Sequence, residues 1–239
     1  VILFDLKTNR VTGSVKTAAG PDAIMYEPFS EKIFVCDGRG EQATIIDPTT
    51  NKVTDSISLA GKPEEPASDG MGNIYVNIED KSEVVHIDAK TFKIVERWKI
   101  GNGEAPSGLA IDREHHRLFI ACDNKLMIVM NAENGKVIAE LPVGENCDGA
   151  AYDPSGGFAF CPNGDGTLTV IHEDSPDKFS VVTNVQTKKG ARTICLDSKN
   201  HHLFLPTAEF GAAPAATTEN PNPRPSILPG TFQVLEVGR

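Results

Sequence analysis

Short apolar runs that end in a polar residue recur along the chain: Ile2-Leu3-Phe4-Asp5, Ile45-Ile46-Asp47, Val85-His86-Ile87-Asp88, Ile128-Val129-Met130-Asn131 and Val170-Ile171-His172. The polar terminus steps by 42, 41, 43 and 41 residues. A second marker, the aromatic at Phe34, Tyr75, Phe119, Phe158 or Phe160, and Phe204, keeps nearly the same step. A period near 40 residues holding four short apolar segments predicts one β-propeller blade per period.

Alternation and turn chemistry divide each period into strands. In the unit from Pro63 to Gly101, Glu65 to Asp69 is the first and innermost strand, and Gly70-Met71-Gly72-Asn73 turns the chain. Ile74 to Asn77 is the second strand, Glu83 to Asp88 the third, and Lys93 to Ile100 the outermost. Tight turns at Thr8-Asn9-Arg10, Thr50-Asn51-Lys52 and Asn134-Gly135-Lys136 put Asn or Gly where a positive φ is needed between third and fourth strands. The expected fold class is therefore all-β, a propeller of four-stranded antiparallel blades.

Three segments resemble the YVTN-type (YncE-like) β-propeller repeat family. They are Tyr75-Val76-Asn77, the Ile-Asp-x-x-Thr-Asn-Lys-Val core at Ile46 to Val53, and the lead-in from Gly61 to Pro63. The likeness covers nearly the whole chain. It implies seven blades in an intact protein and an exported home, periplasmic or secreted. The family is defined by its blades, so it implies no particular chemistry.

Val1 lies in a third-position strand with no first or second strand before it, and Phe232 to Glu236 is again a third-position strand. The expectation is an N-terminally incomplete propeller of about five blades, four full and two partial, within a single domain over residues 1–239. Seven blades would need on the order of 80 more residues. Such an arc would leave open blade edges through which copies self-associate.

Composition narrows the partners. The formal charge is −10 and Lys or Arg never run beyond two, which disfavours unspecific nucleic-acid binding. No apolar stretch approaches the roughly 18 residues of a membrane span. Cys36, Cys122, Cys147, Cys161 and Cys195 are odd in number, lack Cys-x-x-Cys spacing and read as small buried apolar residues, although one pair could be oxidised.

Strand order places the blade connectors and the loops between second and third strands at one mouth of the channel. Carboxylates outnumber bases there: Asp22, Asp37, Glu41, Glu64, Glu65, Glu79, Asp80, Glu104, Asp123, Glu145, Asp148 and Asp165 stand against Arg39, Lys81, Lys125, Lys188, Lys189 and Arg192. The mouth reads as an electronegative funnel for cations or a cationic partner. The residues that open the innermost strands point nearest the axis: Asp22, Glu65, Ser107, Asp148 and Arg192. Four oxygen-bearing side chains and one guanidinium suit a hard metal ion such as calcium, or a small acid.

Other clusters read as turns. His172-Glu173-Asp174-Ser175-Pro176-Asp177 looks like a metal loop, but it faces away from the mouth and reads as a longer hairpin with side-chain-to-backbone bonds from Asp174 and Ser175. His115-His116 and His201-His202 occupy equivalent turns on that far face, and neighbours on a strand point oppositely, so neither pair chelates unaided. Asn163-Gly164-Asp165-Gly166 lacks the distal Glu of a calcium loop. The Pro-rich insertion 207–230 is expected to be extended or disordered on the mouth face, placed to act as a lid or docking arm.

These readings favour a non-enzymatic binding or scaffold propeller, with an unknown protein or small-molecule ligand at the acidic mouth and no required cofactor. The alternative is a metal-dependent, lactonase-like hydrolase at the same mouth, by analogy with gluconolactonase-type propellers. A surface-layer repeat protein is a third class.

Overall fold

The computed structural model describes residues 1–218, 221, 223 and 225–238. A two-stranded sheet of β1 (Ile2–Asp5) and β2 (Arg10–Ser14) opens the chain. The first full blade is β3 (Pro21–Glu27), β4 (Lys32–Asp37), β5 (Gln42–Asp47) and β6 (Lys52–Ser58). The second is β7 (Pro63–Ser68), β8 (Asn73–Ile78), β9 (Glu83–Asp88) and β10 (Lys93–Lys99). The third is β11 (Pro106–Asp112), β12 (Arg117–Cys122), β13 (Leu126–Asn131) and β14 (Val137–Pro142). The fourth is β15 (Ala151–Asp153), β16 (Phe158–Asn163), β17 (Thr167–Ser175) and β18 (Lys178–Gln186). A three-stranded sheet of β19 (Cys195–Asp197), β20 (His202–Thr207) and β21 (Gln233–Val237) follows.

Every blade is an antiparallel meander whose strands pair in chain order, and the chain is an all-β propeller of four-stranded blades. Two short 3-10 turns, Gly38–Gly40 and Glu79–Lys81, sit in mouth-side loops. No helix among the described residues is long and apolar enough to cross a membrane.

The period of two assigns each strand's side chains to two different seams. In β12, Leu118, Ile120 and Cys122 join the core shared with the second blade, while Phe119 and Ala121 join the core shared with the fourth. In β8, Ile74, Val76 and Ile78 pack toward the first blade and Tyr75 toward the third. Both sheet faces are therefore apolar, and the core is a series of seams between blades rather than one centre. Outer strands belong to the surface: β6 and β10 each bury a single residue, Ile57 and Trp98.

Neighbouring innermost strands contact one another, β3 with β7, β7 with β11, β11 with β15 and β15 with β19, and so line the channel. Close approach occurs at Gly108, where a Cβ would lie 2.3 Å from the backbone of Gly149. Only glycine fits there. The hairpin turns follow the sequence: Asn9, Asn51 and Gly135 adopt φ of 53°, 54° and 69°. In the second blade the same turn carries Phe92 at φ 52°, a costly conformation for an aromatic residue.

Cys195 is exposed, contrary to the expectation that the cysteines are buried, because β19 is a short three-residue strand on an incompletely covered sheet. The other four thiols are buried, and burial pushes that of Cys122 up to about 12. Cys147 and Cys161 lie side by side with their sulfurs 2.7 Å apart.

Candidate functional site

The channel mouth is built by the starts of innermost strands and the loops beside them. Lys62, just before β7, holds Glu64 at 2.7 Å and Glu79 from the following loop. Its backbone N–H donates to Asp80 Oδ1 at 2.7 Å. Burial of Glu64, with neighbouring Glu79 and Asp22 carboxylates adding to it, lifts its carboxyl to about 7 although Lys62 opposes the rise. Asp123, in the equivalent loop of the third blade, is raised by burial and then by Glu79.

The five residues read from the sequence as nearest the axis have different roles. Asp148 and Arg192 form an ion pair at 3.0 Å, strengthened by the Asp148 N–H donating to the Arg192 carbonyl at 3.0 Å. Burial raises the Asp148 carboxyl, Arg192 opposes, and Asp22 and Asp123 add to the rise. Glu65 reaches across to the next two blades: its Oε2 accepts the N–H of Leu109 at 2.9 Å and that of Ala150 at 3.3 Å. Burial dominates these contacts and brings the Glu65 carboxyl to about 7. Ser107 is buried, and its hydroxyl donates to the Cys147 carbonyl at 2.6 Å, joining the third blade to the connector before the fourth. Asp22 is exposed at the start of β3, and its charge is felt by both Glu64 and Asp148.

The Pro-rich insertion is not wholly irregular. Its base is a short antiparallel pairing of Phe210 with Ile227, with Gly211 N–H donating to Ser226 and Leu228 N–H to Glu209. Glu219, Asn220, Asn222 and Arg224 lie outside the described residues. Phe210, Leu228, Lys189 and Arg192 border a mouth-side cavity of about 680 Å³. Sequence composition missed this apolar base because proline and alanine dominate the segment. Its signal was Phe210 paired with Ile227-Leu228 across the insertion.

On the far face, β17 runs on to Ser175, and the His172 segment forms a longer hairpin closed at Ser175 and Lys178. Asp174 accepts from the Ser180 hydroxyl at 3.2 Å and meets the His172 ring at 2.7 Å, so its partners are side chains rather than the expected backbone. His116 adopts φ 55° and His201 φ 59°, both as turn residues. His201 meets Asp153 at 2.9 Å and His202 meets Glu236 at 2.6 Å.

No protein-family model matches the chain, and no curated protein matches it. Solved structures do. A chain of hydrazine synthase from Kuenenia stuttgartiensis aligns with a TM-score of 0.68 at 19% identity, over 83% of this chain and 59% of that one. A chain of the mitotic checkpoint complex aligns with a TM-score of 0.72 at 12% identity, over 85% of this chain and 64% of that one. This chain thus spans less than two thirds of either neighbour, and at such identities the likeness is one of fold: the molecule is similar to other β-propellers.

Proposed function

We propose that the chain is a non-enzymatic binding propeller whose mouth takes a basic segment of a partner protein. The observation that carries this reading is the convergence of Asp22, Glu64, Glu79, Asp123 and Asp148, with Lys62 and Arg192 among them, and burial holding Glu64 near 7. Carboxylates that are desolvated and crowded gain from an arriving cation more than solvated ones do. Phe210, Ile227 and Leu228, which are 52%, 53% and 39% exposed, offer apolar contact beside them. The structural neighbour in the mitotic checkpoint complex is itself part of an assembly, which agrees with this use of the fold.

Titration with a fluorescent Lys- and Arg-rich peptide containing one aromatic residue tests the reading. The triple variant Asp22→Asn, Glu64→Gln, Asp123→Asn should weaken binding at least tenfold at low salt and flatten its salt dependence. Wild-type binding should tighten from pH 6 to pH 8 as Glu64 ionises. A triple variant that binds like the wild type ends the proposal.

The YVTN-type resemblance carries a further proposal, export, and it has its own test. In an oxidising compartment the adjacent Cys147 and Cys161 would be joined. Alkylation of the protein, denatured without reductant, would then count three thiols, whereas a reducing compartment leaves all five.

A further inference from the structure

On the face opposite the mouth, Asp112 at the end of β11, His115 in the turn that follows and Glu173 near the end of β17 bring ligand-type atoms within 4.8 Å of one another. His115 Nδ1 lies 2.6 Å from Asp112 Oδ2 and 3.2 Å from Glu173 Oε1. The two carboxylates are deeply buried, with Asp112 2% and Glu173 3% exposed. They come from adjacent blades, which is why no local motif announced them.

The repeat shows that Glu173 is not there for packing. Its N–H donates to the Gly157 carbonyl at 2.8 Å, and the same bond runs from Ala132 to His116 in the third blade and from Ala89 to Gly72 in the second. Ala132 and Ala89 are buried. In the fourth blade, then, a carboxylate replaces a methyl group at an interior position, and burial of a carboxylate is unfavourable unless positive charge matches it. Tyr152 donates its hydroxyl to Glu173 Oε2 at 2.8 Å. The other oxygen, Oε1, is buried, accepts no hydrogen bond and faces the His115 ring. Nδ1 has one proton or one lone pair to offer, and the closer Asp112 oxygen takes it.

We propose that Asp112 Oδ2, His115 Nδ1 and Glu173 Oε1 bind a divalent transition-metal ion of the zinc class. A zinc ion about 2.0–2.2 Å from each ligand holds the ligand atoms roughly 3–3.5 Å apart, so the three side chains need only small adjustments. One imidazole nitrogen with two carboxylates suits zinc better than calcium or magnesium, which take oxygen ligands. A supporting layer of hydrogen bonds is in place: Tyr152 orients Glu173, and the N–H groups of Glu114 and His115 hold Asp112 at 3.0 and 3.2 Å. Three protein ligands leave a position open. Asp112 and Tyr152 also line the channel cavity of about 620 Å³, which gives the ion a route in.

The test is equilibrium dialysis of the chelator-stripped full chain against zinc chloride, with calcium chloride in parallel. One equivalent of zinc is expected. His115→Ala and Glu173→Gln should each weaken it at least tenfold. His201→Ala, which removes a far-face histidine that meets a carboxylate of one residue only, Asp153, should leave it unchanged. In the wild type, zinc should move the imidazole NMR signals of His115 and not those of His201, a readout that needs no variant to fold. Uptake below a tenth of an equivalent, equal uptake by His115→Ala, a preference for calcium, or a shift confined to His201 would each overturn the proposal.

Discussion

The seam between the second and third blades and the seam between the third and fourth are made from equivalent positions, yet they close differently. At the first, the Tyr75 hydroxyl donates to the Ala132 carbonyl at 2.9 Å, and its ring stacks at 5.2 Å on His86 and 6.0 Å on Trp98. At the second, the position of Tyr75 is occupied by Phe119, which has no hydroxyl and stacks instead on Tyr152 at 5.1 Å, with Phe179 edge-on at 5.8 Å. The position of Ala132 becomes Glu173, and Arg117 crosses to the Pro176 carbonyl at 2.6 Å and to Asp177 at 2.9 Å. Around Tyr75 the first seam is closed by a neutral hydrogen bond over an aromatic stack, although Arg113 also crosses it to the Ser68 carbonyl at 3.0 Å. Around Phe119 the second adds the Glu173 carboxyl and the Arg117–Asp177 ion pair to its stack. A repeat thus determines where contacts occur, while single residues decide their chemistry.

The most damaging way to break this comparison is to move the carboxylate. Ala132→Glu would bury a charge in a cavity lined by Asp69, His86 and His116, with Gly72 three residues after Asp69 where the next blade has His115 three after Asp112. It should cost about 3–5 kcal/mol, read from urea unfolding. Little or no loss would mean that the seams are interchangeable. Next comes Glu65, whose Oε2 ties the Leu109 and Ala150 amides at the inner end of the second seam. Its carboxyl rises on folding from 4.5 to about 7, so the folded state holds the proton more tightly. Stability from this group is full below pH 4.5 and falls by on the order of 3 kcal/mol as pH rises through 7. Glu65→Gln, which does not ionise, should flatten that fall in melts taken from pH 5 to pH 8. The smallest effect belongs to the first seam: Tyr75→Phe removes one hydrogen bond and should cost about 1 kcal/mol. A loss several times larger would show that the hydroxyl does more than join two blades.

Much of the fold was legible because blade strands are short and their turns chemically specific. The third strand read at Glu83 to Asp88 is β9 residue for residue, and Asn9, Asn51 and Gly135 have the left-handed φ that their turns require. The phase of the repeat also put Asp22 and Glu65 near the starts of β3 and β7. Asp148 and Arg192, expected to open innermost strands, lie instead in the connectors three residues before β15 and β19, because those two strands are only three residues long. Side-chain direction was not legible. Ser107 turns into the wall because a buried carbonyl, that of Cys147, lies within reach, and nothing local to residue 107 encodes that. Asp112 and His115 share one turn and Glu173 belongs to another, and only the packing of two blades brings Glu173 to the other two. The signal that was present is comparative: Glu173 stands where Ala89 and Ala132 stand in the preceding units.

Arg117 has a consequence for the order in which the chain assembles. All four strands of the third blade are complete once Pro142 has been made, but the guanidinium of β12 finds its outer partners only at Pro176 and Asp177, in the last hairpin of the next blade. During vectorial synthesis the third blade can pair its strands and still present an unsealed flank, with Phe119 uncovered, until the fourth blade has emerged. A ribosome paused between the two blades would hold Phe119 out as uncovered apolar surface.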